Sequence, residues 1–483
     1  MTIPVEQILP PRRQMASDPY RPLYHFSAPA NYLGDPNGTI FWRDKYHLFY
    51  QYNPDGAFDN SRRMHWGHAV SEDLVHWSDL PIALTPTPDG PDQSGCWSGS
   101  AVNNNGVPTL IYYGHPEGNC IATSDDDLIT WEKHPANPVI PYPPEGDGWR
   151  PFDPCAWQEG DTWYSLSGGK LGDVGDTAFL CQSKDFVHWE YMHPFYTSEL
   201  DKASESDCAV PDFFPIGDRY MLLFASHERG VQYYLGTYAN HKFYPEHHGR
   251  MNFGEFGVES GHLCAGLTLL DGMDQRIFFG WIPEGLREAV QRAAGWAGVM
   301  SLPRVLSLSD RGTLAVKPVP ELKILRRNRC RLTNLRINPD TFLPLEDVNG
   351  DCLEILATFE LGDAQALGIK VRCSPDGNEQ TAIFYSLEDK CLALDADLSS
   401  VNPDVVSLGV QRGPLELAAD EPLMLHIFVD RSIIEVFANH RQCLTKRIYP
   451  ARRDSRGVQL FAEGGSAKLH SIDVWDMAEI WGS

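Results

Sequence analysis

Three acidic motifs are the stretches of this chain whose residue types could support catalysis. Asp35 lies in GDPNG, Asp153 lies in PFDPCAW, and Glu205 and Asp207 lie in SESDCAVPDFF. A proline that follows an acid fixes the local backbone and removes a hydrogen-bond donor, which helps to orient the carboxylate. Carboxylates among Trp and Tyr side chains are suited to cleaving glycosidic bonds, because an ionised carboxylate can attack as nucleophile while a protonated one donates to the leaving oxygen.

Any one of these motifs alone is typical of an ordinary turn, and their number and aromatic neighbours are what favour an active site. The sequence lacks the signatures of other common catalytic centres, among them G-x-S-x-G, the P-loop, HExxH and C-x-x-C. The His-rich stretch YPEHHGR is more typical of a solvated turn than of a metal site. Hydrolysis by paired carboxylates is therefore the chemistry that the residues favour.

A repeated motif indicates how these acids could be brought together. The pattern S-x-D-[LF]-x-x-W occurs in SEDLVHW (71–77) and SKDFVHW (183–189), and a looser copy, SDDDLITW, spans 124–131. Short aromatic and β-branched runs between the copies, bounded by Gly, Pro, Asn and Asp, predict strands and turns. A period above about 40 residues with several strands per unit predicts a β-propeller. Inner strands line the channel of such a fold, so acids from different blades can share one pocket.

The repeat ends near residue 320. The segment PVPELKILRRNRCRL (318–332) predicts a linker, and the alternating strand patterns beyond it lack the repeated motif, which indicates a β-sandwich. We therefore expect an all-β chain in which a propeller catalytic domain spans residues 1–320, a linker spans 321–335 and a β-sandwich spans 336–483.

Composition limits the partners. The 483 residues include 40 Lys and Arg against 65 Asp and Glu, a formal net charge of −25, which disfavours nucleic acid and anionic membranes as partners. The chain shows no long apolar run of a signal peptide or membrane span, and its 11 Cys are scattered, so we expect a cytoplasmic protein with reduced thiols. The expected partner is a small carbohydrate, and the sequence does not indicate an oligomeric state.

The stretch RPLYHFSAPANYLGDPNGTIFW (21–42) is similar to the N-terminal signature of glycoside hydrolase family 32, the family of invertases, inulinases, levanases and fructan exohydrolases. Further blocks follow in the expected order: YQYNP (50–54), WGHAVSEDLVHW (66–77), WSGSAV (97–102), GWAGVMSLPRVLSL (295–308) and FVDRSIIEVFAN (428–439). The similarity covers about residues 21 to 476.

This resemblance implies a five-bladed β-propeller followed by a β-sandwich, and a retaining β-fructofuranosidase that uses no metal or organic cofactor. The implied reaction hydrolyses sucrose or short fructo-oligosaccharides through a covalent fructosyl-enzyme intermediate. Asp35 matches the nucleophile of the family, and Asp153 matches its transition-state-stabilising Asp. We expect Glu205 to be the acid/base because it is the only Glu in its stretch. Asp207, which directly precedes Cys208, is its rival.

The resemblance also implies a set of substrate-binding residues. The positions that match residues lining the fructose pocket are Gln51, Trp97, Ser98 and Trp281, and Asp212 matches a residue that supports the acid. Three departures from the family pattern surround this pocket. The usual W-M-N is Y-L-G at 32–34, the usual R-D-P is F-D-P at 152–154 with Arg150 two residues earlier, and Phe58 is the expected wall where a Trp is usual.

Because these departures lie at the pocket, the sequence indicates the family more clearly than it indicates the preferred substrate. A transfructosylating enzyme of the same family and a catalytically decayed carbohydrate-binding protein remain alternatives. Another propeller glycosidase, such as an arabinosidase, is disfavoured because the fructosidase blocks occur in order. A phosphorylated substrate is compatible with the family, but the sequence shows no obvious basic cradle for a phosphate.

Overall fold

The structure is a computed structural model, and it describes nearly the whole chain. The described residues are 12, 15–58, 63–144, 149–171, 175–198, 200, 207–254, 261–403, 405 and 409–481. Strands dominate these ranges, together with an α-helix, α1 (Glu288–Ala294), and a 3-10 helix (Pro320–Leu325). Within the described ranges, no helix is both long enough and apolar enough to cross a lipid bilayer.

Five consecutive sheets form the blades of a propeller. The first blade contains β1 to β4: Asn31–Trp42, Lys45–Asn53, His65–Ser71 and Trp77–Leu84. The second contains β5 to β9: Gly95–Asn104, Val107–His115, Gly118–Thr123, Glu132–Lys133 and Ile140–Pro141. The third contains β10 to β13: Cys155–Glu159, Thr162–Leu171, Gly175–Ser183 and Trp189–Pro194. The fourth contains β14 to β17: Ala209–Ile216, Arg219–Ser226, Gly230–Ala239 and Lys242–Arg250.

The fifth blade closes the ring. Its strands and the closing strand are β18 to β23: Ala265–Leu270, Arg276–Ile282, Trp296–Ala297, Val299–Met300, Arg304–Leu308 and Leu314–Pro318. Of these, β20 leaves the fifth sheet and pairs in parallel with β1 of the first blade. The first strand of each blade contacts the first strands of the neighbouring blades around a complete circle, β1–β5–β10–β14–β18. These five inner strands line the channel, and their N-terminal ends meet at one mouth.

The repeated sequence motif forms the turn before the outer strand of a blade. Asp73 Oδ1 accepts hydrogen bonds from the backbone N–H groups of Val75 and His76, and Asp185 Oδ1 accepts the equivalent pair in the third blade. In the looser copy, Asp126 Oδ1 accepts from the Thr130 backbone N–H. An Asp side chain that satisfies its own turn explains why this motif recurs in successive blades.

Two six-stranded antiparallel sheets follow and form the β-sandwich. One sheet has the strand order β24-β35-β26-β31-β32-β33, with bounds Arg326–Ile337, Ala467–Met477, Cys352–Glu360, Leu423–Asp430, Ile433–Ala438 and Gln442–Arg447. The other has the order β25-β34-β27-β28-β29-β30, with bounds Thr341–Asn349, Gly457–Glu463, Ala366–Cys373, Thr381–Ser386, Cys391–Asp395 and Val410–Pro414. Their facing aliphatic side chains form one buried core. The prediction of an all-β propeller followed by a sandwich is confirmed.

The segment between the two parts differs from the linker expected over residues 321–335. Its first residues belong to the 3-10 helix, and from Arg326 onward it is the edge strand β24, which pairs with β35. Most residues of β24 are exposed or half-buried, because an edge strand contacts a neighbour on one side only. Its Arg-rich sequence therefore lacks the apolar alternation by which strands are recognised.

Buried ion pairs join the propeller to the sandwich. The His25 ring lies 2.9 Å from Asp430 Oδ2 through Nδ1 and 3.4 Å from Glu435 Oε1 through Nε2. Arg304 Nη2 lies 3.0 Å from Glu435 Oε2, and all four side chains are fully buried. Such a cluster is stable only while every charge keeps its partner. It joins β22 and the segment that precedes β1 to the sandwich.

Candidate active site

The N-terminal ends of the inner strands bring three of the predicted acids to one mouth of the channel. Asp35 lies within β1, Asp153 lies two residues before β10, and Asp207 lies two residues before β14. The negative charges of Asp35 and Asp207 both act on Asp153, which shows that the three carboxylates share one site. Residues more than a hundred positions apart are thus neighbours, because each inner strand begins at the same mouth.

Asp35 is oriented by a relay of two side chains. Ser98 in β5 donates from Oγ to Asp35 Oδ2 at 2.7 Å, and Gln51 in β2 donates from Nε2 to Ser98 Oγ at 2.5 Å. Gln51 and Ser98 are buried, whereas Asp35 is half-buried. Two of the predicted substrate-binding residues therefore hold the predicted nucleophile in place.

Asp153 occupies an unusual backbone conformation. Its φ is 48°, and that of Val210, whose backbone hydrogen-bonds the Asp153 side chain, is 46°. A left-handed conformation is rare for a β-branched residue, and here it falls at the irregularity of β14 between Ala209 and Asp212. Strained backbone of this kind is characteristic of functional sites. It brings the start of β14 to the carboxylate of Asp153.

The environment of Asp153 favours a proton near neutral pH. Desolvation of this half-buried carboxyl and the negative charge of Asp35 raise the pKa of Asp153 to about 7, although the nearby His227 acts in the opposite direction. Two carboxylates that share a site cannot both ionise without cost, which is the physical cause of this shift. The pocket therefore contains one carboxyl group whose charge changes close to pH 7.

Asp207 is bound to a histidine that the sequence analysis did not single out. His227, directly after β15, lies with Nδ1 2.5 Å from Asp207 Oδ2, and its backbone N–H donates to Asp207 Oδ1 at 2.9 Å. Although burial alone would raise it, the hydrogen bonds and charge of His227 lower the pKa of Asp207. The only sequence signal was position, since His227 ends the strand pattern RYMLLFASH. Because β15 runs antiparallel to the inner strand β14, the C-terminal end of β15 lies at the mouth where β14 begins.

The predicted aromatic residues lie at different depths. Trp281, in β19, is buried with its ring centroid 6.0 Å from that of Tyr32. Trp97 precedes Ser98 and is half-buried, with its ring 6.3 Å from that of His115. Phe58 is half-buried under the guanidinium of Arg292, 5.6 Å from its ring centroid. Trp97 is therefore next to Ser98 of the Asp35 relay, whereas Phe58 packs against Arg292 of α1.

Arg150 lies beside a pair of tyrosines. Its guanidinium carbon is 6.0 Å from the ring centroid of Tyr142, and the hydroxyl of Tyr142 is hydrogen-bonded to that of Tyr113. Burial raises the pKa of Tyr113, and the Tyr142 hydroxyl and the charge of Asp153 add to this effect. Arg150 is exposed. These two tyrosines, which the sequence analysis did not identify, therefore extend the site on the side of the second blade.

Asp212 is placed away from this group of acids. We expected it to support the acid, but its Oδ2 accepts hydrogen bonds from Thr268, at 2.8 Å from the backbone N and 2.6 Å from Oγ1. It lines a cavity of about 540 Å³ that also includes Trp157 of the inner strand β10 and Arg276 at the start of β19. The irregularity of β14 separates Asp212 from Asp207 along the channel. Glu205, our first choice as acid/base, lies outside the described residues.

Comparisons with known proteins agree with this architecture. Residues 25–318 match the model of the glycosyl hydrolases family 32 N-terminal domain, and residues 321–476 match that of the family 32 C-terminal domain. A sucrose-6-phosphate hydrolase of Zymomonas mobilis is 31% identical over 97% of this chain and 94% of its own length. A levanase of Bacillus subtilis is 32% identical over 96% of this chain and 71% of its own length.

The fold has counterparts among solved structures. The crystal structure of fructan 1-exohydrolase IIa from Cichorium intybus superposes with a TM-score of 0.86 at 28% identity, covering 96% of this chain and 98% of that one. A variant of that enzyme has been solved in complex with 1-kestose, with the same TM-score and coverage at 27% identity. Carboxylates at one mouth of a five-bladed propeller, with family matches along both parts of the chain, make this protein a glycoside hydrolase: the chain belongs to glycosyl hydrolase family 32.

Proposed function

We propose that this protein is a retaining β-fructofuranosidase that hydrolyses terminal β-D-fructofuranosyl residues of sucrose or short fructo-oligosaccharides. The observation that carries the proposal is the Gln51–Ser98–Asp35 relay, which orients one carboxylate in a pocket that also contains Asp153. An oriented carboxylate nucleophile in a pocket that contains further carboxyl groups is the arrangement that two-step glycoside hydrolysis requires.

Relatives support the substrate class. The similar proteins include a sucrose-6-phosphate hydrolase, a levanase and a fructan exohydrolase, whose named substrates all contain fructosyl units. The exposed Arg150 is a cation near the site, but its guanidinium lies against the ring of Tyr142. The carboxylates that share the pocket would repel a phosphate group. We therefore favour neutral fructosides over phosphorylated ones as the substrates of this chain.

The proposed reaction has two steps. In the first step an Asp35 oxygen attacks the anomeric carbon, the bond to the leaving oxygen breaks, and an acid protonates that oxygen. In the second step water attacks the fructosyl ester, the same acid, now a base, takes a proton from the water, and Asp35 is released as carboxylate. Asp153, when ionised, accepts hydrogen bonds from fructose hydroxyls, and Trp97 lies beside the sugar. Glu205 remains our prediction for the acid from the sequence alone, with Asp207 as its rival.

A product assay tests the proposal. The protein is incubated with sucrose, 1-kestose, inulin and levan, and the products are separated by chromatography, with Asp35→Asn as the inactive control. We expect free fructose from sucrose and kestose, and methyl β-fructofuranoside when methanol is added. Release of α-fructose first, or no cleavage of any fructoside, would contradict the proposal. Longer oligosaccharides as the main products would instead indicate the transfructosylating alternative.

The cytoplasmic location is likewise a proposal. All eleven cysteines are free thiols, and ten of them are buried, which fits a compartment that keeps thiols reduced. Fractionation of the source cells, with an activity assay on each fraction, tests this location. Recovery of the protein from the extracellular fraction would contradict it.

A further inference from the structure

The channel of the propeller has a second cavity toward the end opposite to the acids. Its volume is about 540 Å³, and every inner strand lines it, through residues 39–41 of β1, 100–103 of β5, 155–159 of β10, 212–215 of β14 and 267–270 of β18. At about 3.3 Å per residue, Phe41 lies roughly 20 Å along β1 from Asp35. Among the described residues, the lining includes neither Asp35 nor Asp153 nor Asp207. The cavity is therefore separate from the active site.

Thr268 links two charged side chains that line this cavity. Its Oγ1 donates to Asp212 Oδ2 at 2.6 Å and accepts from Arg276 Nη1 at 3.4 Å. In the part of the chain that the structure describes, Asp212 Oδ1 and Arg276 Nη2 have no hydrogen-bond partner. The cavity therefore offers one acceptor and one donor, held near each other by a single threonine.

Both charges are largely removed from water. Asp212 is 9% exposed, and burial raises the pKa of its carboxyl, whereas the charge of Arg276 acts in the opposite direction. Burial lowers the pKa of the Arg276 guanidinium, whose carbon lies 4.3 Å from the ring centroid of Phe214. Thr268 bridges the two groups, and no direct ion pair joins these two described residues. Because a buried charge without a direct partner is costly, the open oxygen and nitrogen favour a ligand that bonds to them.

Aromatic rings form another wall of the cavity. The ring centroid of Phe213 lies 5.1 Å from that of Trp157, 5.3 Å from that of Tyr220 and 5.2 Å from that of Tyr238. Glu159 fixes two of these rings, because its Oε1 accepts from Trp157 Nε1 at 2.8 Å and its carboxylate is hydrogen-bonded to the Tyr238 hydroxyl. Trp157, Tyr220 and Tyr238 are half-buried, so each ring keeps an accessible part.

We propose that this cavity, the distal pocket, binds a neutral mono- or disaccharide through Asp212, Arg276 and the aromatic wall. Two neighbouring sugar hydroxyls can donate to Asp212 Oδ1 and accept from Arg276 Nη2, while the C–H face of the sugar packs on Trp157 or Tyr220. Asp212 would repel an anion and Arg276 a cation, which favours a neutral ligand. The volume lies in the range of about 300–1,000 Å³ that is usual for ligand pockets. The inference goes beyond the proposed fructosidase function and does not depend on it.

Fluorine NMR of the full chain labelled with 5-fluorotryptophan tests the distal pocket. The resonances of Trp157 in the distal pocket and of Trp97 at the active site are assigned from Trp157→Phe and Trp97→Phe. The protein is then titrated with D-fructose and D-glucose, and Asp35→Asn, which should not hydrolyse it, is titrated with sucrose. We expect at least one of these three sugars to shift the Trp157 resonance in a saturable manner.

Two variants and a matched control make the titration specific. In Asp212→Asn the dissociation constant measured at Trp157 should rise by about 10- to 100-fold, because a hydrogen bond to a charged group is lost. Arg276→Gln removes the guanidinium donor and should weaken binding by a similar factor. Asp218→Asn, at the exposed turn between β14 and β15, should bind like the wild type. The remaining tryptophan resonances show whether each variant is folded.

The distal pocket and the proposed function can fail separately. No saturable shift of Trp157 with any of the three sugars, or equal binding by the wild type and the folded variants, would overturn the distal pocket. A shift of Trp157 with potassium chloride or glycine but with no sugar would also overturn it, since the occupant would then be an ion or a zwitterion. A shift of Trp97 alone would overturn the distal pocket and leave the proposed function intact. If the product assay showed no cleavage while Trp157 still shifted, only the proposed function would fail.

Discussion

Ser98 donates a 2.7 Å hydrogen bond to Asp35 across two blades of the propeller. The donor lies in β5 and the acceptor in β1, so the orientation of the carboxylate depends on how the first and second blades pack. Gln51, which donates to Ser98 Oγ, ties the pair to the second strand of the first blade. The bond makes the reactivity of Asp35 a property of the assembled propeller.

Ser98→Ala should therefore reduce activity without unfolding the protein. A hydrogen bond to a charged group stabilises it by about 1.5–3 kcal/mol. Loss of that stabilisation in the transition state corresponds to a decrease of about 10- to 100-fold in kcat/KM. Steady-state kinetics on sucrose measures the effect, and Ser78→Ala, at an exposed position of β4, is the matched control. Unchanged kinetics in Ser98→Ala would show that the relay does not orient the nucleophile.

Asp35→Asn should abolish nearly all turnover. The amide is close in size to the carboxylate and can still accept from Ser98, but it cannot form the ester-like intermediate. Circular dichroism should be unchanged, and Asp125→Asn, at an exposed turn, should have wild-type activity. Retention of more than a few per cent of the activity by Asp35→Asn would rule out Asp35 as the nucleophile.

The activity should depend on pH through Asp153. Its pKa of about 7 means that the carboxyl is mostly protonated at pH 6 and ionised at pH 8. Because the carboxylate form accepts hydrogen bonds from fructose, we expect kcat/KM to rise as the pH increases through about 7. In His227→Gln, the rise of kcat/KM measured with p-nitrophenyl β-D-fructofuranoside should occur at higher pH, because the imidazolium that favours ionisation of Asp153 is lost. A rise of kcat/KM centred near pH 4 would show that ionisation of Asp153 does not control the activity.

Glu435→Gln should destabilise the contact between propeller and sandwich. The change leaves Arg304 and His25 fully buried beside a neutral amide, and breaking a buried ion pair typically costs about 3–5 kcal/mol. Glu416→Gln removes an exposed partner of Lys390, 3.9 Å away, which should cost about 0–1 kcal/mol. Denaturant unfolding of both variants measures the difference. Equal effects would show that the buried cluster does not stabilise the interface.

Local sequence determined the fold class and the motifs that carry the site. Aromatic runs separated by turn residues specify short strands, and the Asp of the repeated motif satisfies its own turn, so both signals are complete within a few residues. The motifs around Asp35 and Asp153 were also recognisable, because an acid beside a proline at a strand end is a local feature. Their convergence followed from the propeller, in which every inner strand begins at the same mouth.

Only the tertiary structure decided which side chains meet. The pairing of His227 with Asp207 depends on the register between β14 and β15, and the irregularity of β14 at Val210 places Asp212 away from the acids. The edge strand β24 was interpreted as a linker because one exposed side leaves its sequence without apolar alternation. Register, bulges and edges are set by contacts between distant segments, and no short stretch of sequence contains both partners of such a contact.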